Sequence, residues 1–182
     1  MHAVIQRVRS ASVSVDGSVV SKINRGIVVL LGVEIGDTIS DCDMLANKIA
    51  NLRIFASPAS GSVTPSESES AGSSGVSTPS ADGGEMTRLD KQWDRSVVSI
   101  DGEILCISQF TLLASVKKNK PSFHHAERQA AVANELYERV MDKMRSAFGE
   151  GKDNKVKPGV FGAYMQVSLV NDGPVTIQLT SR

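Results

Sequence analysis

The sequence predicts a mixed α/β domain whose sheet is joined largely through hairpins. Three observations predict it. Stretches of period-two apolar alternation recur near both ends of the chain, and Asp16-Gly17, Asp101-Gly102 and Asn171-Asp172-Gly173-Pro174 stand as turns between such runs. Only two segments carry the wider apolar spacing of an amphipathic helix. The resulting order is strands, helix, hairpin, helix, hairpin, which differs from the regular alternation of a dinucleotide-binding fold.

Val4, Gln6 and Val8, then Ala11, Val13 and Val15, form two short alternating runs. Asp16-Gly17 turns the chain, and Val19-Val20 resumes the pattern. Ile27 to Leu31 is a continuous apolar run closed by Gly32, the signature of a strand buried on both faces. Thr38 or Ser40 is placed to cap a helix whose buried stripe is Leu45, Ile49 and Leu52. Ser96 to Ile100, Asp101-Gly102 and Glu103 to Phe110 read as a second Asp-Gly hairpin. Phe123 to Phe148 reads as the longest helix, with Ala126, Ala130, Ala133, Tyr137, Val140 and Met144 on one face and Gly149 after it. Ala163 to Val170 alternates again. Asn171-Asp172-Gly173-Pro174 then turns the chain into a last strand marked by Val175, Ile177 and Leu179.

Ala56 to Gly84 differs in kind. Of its 29 residues ten are Ser, five Gly and three Pro, with no aromatic residue and no Lys or Arg. Such a stretch cannot bury enough apolar area to offset the entropy of ordering it. It is read as a mobile insertion, at about 56–84, within a single domain spanning residues 1–182.

Twenty basic side chains balance twenty acidic ones, so no global field draws the chain to nucleic acid or anionic lipid. An RNA ligand would need a local patch and a shaped pocket. No apolar run approaches the length of a membrane span. The first fifteen residues lack a signal-peptide block, and Cys42 and Cys106 read as reduced core residues, so the expected location is cytoplasmic.

No glycine-rich phosphate loop and no nucleophile elbow is present. His124 and His125 are adjacent, so on a helix their side chains diverge by about 100° and suit a shared metal poorly. No metal and no cofactor is expected. Two segments are less ordinary. Ser108-Gln109-Phe110-Thr111 ends an apolar strand with two hydroxyls and an amide, where a rigid backbone can offer polar groups to a ligand. Strand alternation pairs Ser108 with Phe110 on one face and Gln109 with Thr111 on the other. Asn171 to Pro174 is sufficient as a turn, yet Gly173-Pro174 also admits a cis bond that would aim neighbouring carbonyls the same way. The basic loop Lys117-Lys118-Asn119-Lys120 suits either a solvated turn or contact with phosphates.

Ala3 to Val8, Ala11-Ser12-Val13, Asn51 to Phe55, Ser108 to Leu112, Pro121-Ser122-Phe123, Phe161-Gly162-Ala163, Met165 and Asn171 to Thr176 together resemble the D-aminoacyl-tRNA deacylase family. The likeness spans nearly the whole chain outside 56–84. It implies a barrel-like sheet and a homodimer. It implies hydrolysis of the ester joining a D-amino acid, or glycine, to the terminal adenosine of tRNA. It further implies that Ser108, Gln109, Phe110 and Thr111 line the catalytic pocket of one subunit. Asn171, Gly173 and Pro174, with the dipeptide cis, bind substrate from the other, and Met165 is similar to a pocket residue. Thr111 matches a threonine proposed as nucleophile, but without a neighbouring base a threonine hydroxyl is weak. The reading preferred is hydrolysis assisted by the terminal ribose 2′-hydroxyl, with a backbone amide near Phe110 as oxyanion donor and Thr111 positioning the adenosine. The chain departs from the family at Lys118, where a glycine is common. An editing deacylase for L-amino acids and a catalytically silent nucleic-acid-binding dimer are the alternative readings.

Overall fold

The computed structural model describes residues 1–57 and 93–181, so the expected insertion lies outside them from residue 58 onward. Strand β1 (His2–Val15) buries Ala3 and Ile5, then Val8, then Ala11 and Val13. The steps of three from 5 to 8 and from 8 to 11 break strict alternation, and irregularities in its pairing fall at these points. The two alternating runs are thus one bulged strand. Asp16 (φ 49°) and Gly17 (φ 79°) supply the left-handed turn into β2 (Ser18–Ile23), which pairs back onto β1.

β3 (Gly26–Gly32) is buried at every position except Leu30 and pairs antiparallel with β1. Helix α1 (Ile39–Asn51) starts at Thr38, whose hydroxyl accepts from the Asp41 amide while the Asp41 carboxylate accepts from the Thr38 amide. β4 (Arg53–Phe55) pairs with the short β5 (Arg95–Ser96). The second Asp-Gly hairpin is not formed. Val97 to Asp101 instead curl into a turn in which Gly102 N–H donates to the Val97 carbonyl at 2.9 Å. β6 (Glu103–Ser108) runs parallel between β3 and β9 (Val156–Pro158). Its apolar residues pair with β3, itself buried, while Val97, Val98 and Ile100 before the turn pack on the core without joining the sheet.

Phe110–Leu113 forms one turn of 3-10 helix, and β7 (Ser115–Lys117) and β8 (Lys120–Ser122) form a small separate hairpin. The long helix α2 begins at Ala130 and ends at Phe148, shorter than its apolar spacing suggests. Residues before it are held in extended pairing: Ile35 N–H donates to the His125 carbonyl, Glu127 N–H donates to Val33, and Glu34 bridges Ala126. Leu136, Tyr137, Val140, Met141 and Met144 form the buried face.

The last strand, β10 (Gln166–Thr180), is continuous and antiparallel to β1. Asn171 to Pro174 therefore does not reverse the chain. Gln6 pairs with Thr176 and Val8 with Asn171, so residues 172–175 bulge opposite Arg7 alone. Turn-forming residues serve a bulge as well as a reversal, because both need unusual backbone angles.

The main sheet has the order β10-β1-β3-β6-β9, with β2 also on β1. It curls until β2 meets β9, where Ser21 Oγ donates to the Pro158 carbonyl at 2.5 Å and Lys157 Nζ to Lys22 at 2.7 Å. One face packs on α1 and α2 through Ile27, Val29, Leu31, Ile104 and Cys106. The other curls round Val8, Val13, Ile23, Val28, Leu105 and Ile107. The fold is thus mixed α/β with a nearly closed, barrel-like sheet.

Candidate active site

β3 and β6 run parallel, and their C-terminal ends stop side by side at Leu31 and Ser108. Gln109 N–H donates to the Leu31 carbonyl at 2.7 Å, the last rung before the chain bends into the 3-10 turn. Gly32 permits this bend: a Cβ there would stand 3.0 Å from the Gln109 carbonyl oxygen. A cavity of about 420 Å³ opens at this end. Its walls come from the ends of β3 and β6, from Glu127 to Ala133 at the start of α2, and from the loop Phe161 to Met165. Its size fits a small-molecule moiety, and strand ends meeting loops are where such sites form.

Ser108, Gln109 and Phe110 all line the cavity. Strict alternation therefore fails beyond Ser108, because the chain leaves extended geometry at Gln109 (φ −145°, ψ 83°). Thr111 does not line it. Its hydroxyl accepts a 2.5 Å hydrogen bond from Gln109 Nε2, and no base is found beside it among the described residues. The 3-10 turn closes first with Leu112 N–H onto the Gln109 carbonyl, which leaves the Phe110 and Thr111 amides without acceptors inside the turn. Phe110 is half-exposed and meets Phe123 edge-on at 5.1 Å between ring centres. Met165 lines the opposite wall, its sulfur accepting from Val160 N–H at 3.3 Å.

The support behind the cavity is rigid. Tyr137 on α2 donates its phenol proton to the Cys106 carbonyl at 2.8 Å, and Gly159 N–H donates to the same oxygen at 2.8 Å. Burial pushes the Cys106 thiol up to about 12, and burial with Asp37, Asp43 and Asp41 nearby pushes Cys42 to about 11. Neither is a thiolate nucleophile at neutral pH. Both are free and buried. The rings of His124 and His125 lie 4.0 Å apart, and His124 Nδ1 contacts Ser122 Oγ at 3.0 Å. Among the described residues no group of three or more His, Cys, Asp or Glu side chains is arranged to hold a metal ion.

Comparison with known proteins decides the family. The model of a family described as D-Tyr-tRNA(Tyr) deacylase matches residues 4–73 and 85–180. The chain belongs to the D-aminoacyl-tRNA deacylase family. A D-aminoacyl-tRNA deacylase of Yarrowia lipolytica is 44% identical over 183 residues, covering 100% of this chain and 98% of that one. One from Dechloromonas aromatica is 42% identical over the same span of 183 residues, again with 100% and 98% coverage. A solved structure described as a c-Myc DNA unwinding element binding protein superposes with a TM-score of 0.77 at 38% identity, covering 100% of this chain and 99% of that one. A probable eukaryotic D-amino acid tRNA deacylase shares the fold with a TM-score of 0.68 at 17% identity, over 98% of this chain and 97% of that one. The protein is accordingly a hydrolase of D-aminoacyl-tRNA, an activity of translational proofreading.

In this deacylase the second motif sits far from the first. The Gly173-Pro174 peptide is cis, and the bulge that carries it lies opposite Arg7, which pairs with Ile27 near the start of β3. Ser108 pairs with Leu31 at its end. Along the sheet the two motifs are separated by four residues of β3 and three strand-to-strand steps. Asn171, Gly173 and Pro174 do not line the cavity of their own protomer. Arg7 braces the bulge: Nε donates to the Asp172 carbonyl at 3.0 Å and sits 3.4 Å from the Asp172 carboxylate, and a second guanidinium nitrogen donates to the Ile54 carbonyl.

Lys117, Lys118 and Lys120 are exposed on the β7–β8 hairpin, outside the cavity wall. Lys118 (φ 50°) and Asn119 (φ 61°) form its two-residue turn, so a lysine adopts the left-handed geometry usual for glycine. Sequence reasoning missed Arg7, Glu127, Arg128 and Tyr164. A signal existed for Arg7, which follows buried Ala3 and Ile5 in the same alternating register. None existed for the other three, which reach the cavity only through the tertiary fold.

Proposed function

We propose that the Ser108–Phe110 cavity is the catalytic pocket and that a homodimer completes it with Gly173-Pro174 of the partner subunit. The observation carrying this reading is the separation of the two motifs within one protomer. β10 supports it, since among the described residues its outer edge has no strand partner and Val170 stands exposed on it. The reaction is hydrolysis of the ester between a D-amino acid, or glycine, and the 3′-terminal adenosine, yielding free amino acid and tRNA. Water adds to the ester carbonyl, and the Phe110 amide receives the developing oxyanion. The adjacent ribose 2′-hydroxyl assists proton transfer to the departing 3′-oxygen. Ser108 and Gln109 shape the carbonyl side, and Thr111, held by Gln109, positions the adenosine. Met165 bounds the amino-acid space, while Asn171, Gly173 and Pro174 hold the α-amino group from across the interface. Lys117, Lys118 and Lys120 meet tRNA phosphates.

The chain works as one domain, and the break in the family match at residues 74–84 supports reading that stretch as an insertion dispensable for catalysis. A tRNA substrate and two unpaired buried cysteines favour a cytoplasmic protein.

Single-turnover hydrolysis of D-Tyr-tRNA and L-Tyr-tRNA tests the activity, with only the D-ester cleaved. A 2′-deoxy terminal adenosine is expected to slow cleavage by roughly 100-fold or more. Cleavage at the normal rate would remove the ribose from the mechanism. Thr111→Ala is expected to keep turnover within about tenfold; loss of turnover with binding intact would make its hydroxyl chemical. Mixing Ala133→Phe subunits with Pro174→Phe subunits, each inactive alone, should restore roughly a quarter of the sites if they are shared. No recovery in confirmed mixed dimers would sink the shared site.

A further inference from the structure

The cavity lining is mostly apolar, which suits the reacting end of the substrate but gives no purchase on the RNA that follows it. Two side chains at its rim differ. Arg128 is exposed and has no ion pair or hydrogen-bond partner among the described residues. The adjacent Glu127 carboxylate is occupied, accepting the Gln129 amide at 2.9 Å at the start of α2. Tyr164 is 90% exposed, the most exposed of the large apolar side chains among the described residues.

Tyr164 is not on a loose loop. Ala163 N–H donates to the Val160 carbonyl at 3.2 Å, Val160 N–H to Met165 Sδ at 3.3 Å, and Gly159 N–H to Cys106 at 2.8 Å. Phe161, three residues earlier, turns inward onto Tyr137 with ring centres 5.8 Å apart. The loop therefore presents one ring to the core and one, on a braced backbone, to solvent beside the pocket. A fixed aromatic platform next to an uncommitted guanidinium is how proteins hold single-stranded nucleic acid without reading its sequence: the ring stacks on a base and the cation meets a phosphate.

Resting on the pocket reading above, we propose that Arg128 and Tyr164 are positioning residues for the single-stranded 3′ end of tRNA. Tyr164 stacks on the base preceding the terminal adenosine, and Arg128 pairs with the phosphate joining the two nucleotides. Stacking accepts any base and the phosphate is common to all, so the pair adds affinity without choosing among tRNAs.

The test compares D-tyrosyl-tRNA with 3′-O-(D-tyrosyl)adenosine, which lacks both the phosphate and the preceding base. Steady-state kinetics of the full chain are measured for the wild type, R128Q, Y164A and Y164F. R128Q and Y164A are expected to raise KM for the tRNA substrate about five- to tenfold, with kcat within about twofold. Neither changes kinetics on the adenosine ester, and Y164F behaves as the wild type. The slope of log kcat/KM against log salt becomes shallower by about 0.7 in R128Q alone. Equal losses on both substrates, or no loss on either, overturn the proposal. So does a Y164A chain that sediments as a smaller species than the wild type, since its ring would then serve the subunit interface. Ala133→Phe separates the two readings. If it cleaves the tRNA normally, the pocket assignment fails; if it is inactive while R128Q and Y164A match the wild type, only this inference fails.

Discussion

Three lysines stand at each end of the parallel strands β3 and β6, and the two groups are treated in opposite ways. At the N-terminal end, Lys152 and Lys155 bind the Asp101 carboxylate at 2.8 and 2.9 Å, and Lys157 binds Glu103 at 2.8 Å. Glu103 also accepts the Asn24 amide at 2.6 Å. Beyond the C-terminal end, Lys117, Lys118 and Lys120 are exposed without an ion pair among the described residues. Both ends hold cavities of similar size, about 420 Å³ at the C-terminal end and about 330 Å³ at the other. Volume does not tell them apart; commitment of charge does. The end whose charges are satisfied within the chain maintains the fold. The end that leaves a cation, an open ring and backbone amides unsatisfied is the one proposed to meet the polyanionic substrate.

The largest effect is expected from disturbing the structural end. β3 and β6 approach so closely there that a Cβ on Gly26 would lie 1.8 Å from the Glu103 carbonyl oxygen. Backbone cannot step aside as a flexible side chain can. Gly26→Ala is expected to cost roughly 3–5 kcal/mol, lowering the thermal midpoint by about 10 °C or leaving no folded protein. An unchanged midpoint would show that the strands separate cheaply and that this end is not the brace. At the other end the expected effect is on activity. Ala133 on α2 lines the proposed catalytic cavity and is half-buried. Ala133→Phe occupies that space, so kcat/KM on D-Tyr-tRNA should fall roughly 100-fold or more while the fold persists. Retained activity would move the chemistry elsewhere.

Much of the structural end was legible in the sequence. Ile27 to Leu31 is an apolar run too continuous for a half-exposed strand, and of the two caps the sequence offers, Thr38 and Ser40, the structure uses Thr38. The Tyr137–Val140–Met144 stripe marks α2 even though its first turn was read too early. Pairing partners were not legible. Asp101-Gly102 signals a turn truthfully, but a turn does not say whether its flanks pair with each other or with strands far off in sequence. The same limit applies to Asn171–Pro174, whose turn chemistry serves a bulge facing Arg7. At the candidate site, Ser108 to Phe110, which line the cavity, carry hydroxyl and amide groups that end an apolar strand. Arg128 and Tyr164 had no local mark, because what distinguishes them is exposure beside a cavity formed by remote segments.

A smaller effect distinguishes the ends by pH. Two lysine hydrogen bonds, from Lys152 and Lys155, hold the Asp101 carboxyl below its ordinary value. Burial works the other way at Glu103, but the Lys157 bond and the Asn24 amide outweigh it and keep that carboxyl low as well. Groups depressed on folding add stability above their unfolded values and lose it as pH falls through the folded ones. The doubly substituted Asp101→Asn, Glu103→Gln chain should therefore be less stable than the wild type at pH 7, by about 1 kcal/mol or less for the Glu103 part. The difference should shrink as pH drops below about 4. Denaturant unfolding at pH 7 and pH 3 measures it, and kcat/KM at pH 7 should stay within about twofold of the wild type, this end being outside the pocket. A difference constant with pH would mean that the lysine pairs contribute nothing to stability.

The smallest expected effect lies in the open hairpin, where stability and function pull against each other. Lys118 holds φ 50° in a two-residue turn, a conformation that costs a side-chain-bearing residue about 1 kcal/mol and glycine little. His124 Nδ1, against Ser122 Oγ at 3.0 Å and Ser115 Oγ at 3.4 Å, ties the hairpin at its base, so the strain is confined to the tip. Lys118→Gly relieves it and should raise the thermal midpoint by about 1–2 °C, part of the gain being lost to glycine's freedom in the unfolded chain. The same change removes a cation that has no ion pair among the described residues, so the salt dependence of kcat/KM on D-Tyr-tRNA should weaken by about 0.7 in slope. Higher stability with weaker salt dependence would show that this chain retains a strained lysine at the turn because the substrate, not the fold, uses its charge. Higher stability with an unchanged slope would mean that the hairpin's lysines are solvated like any surface lysine, and the contrast between the two ends would rest on the cavity and its rim alone.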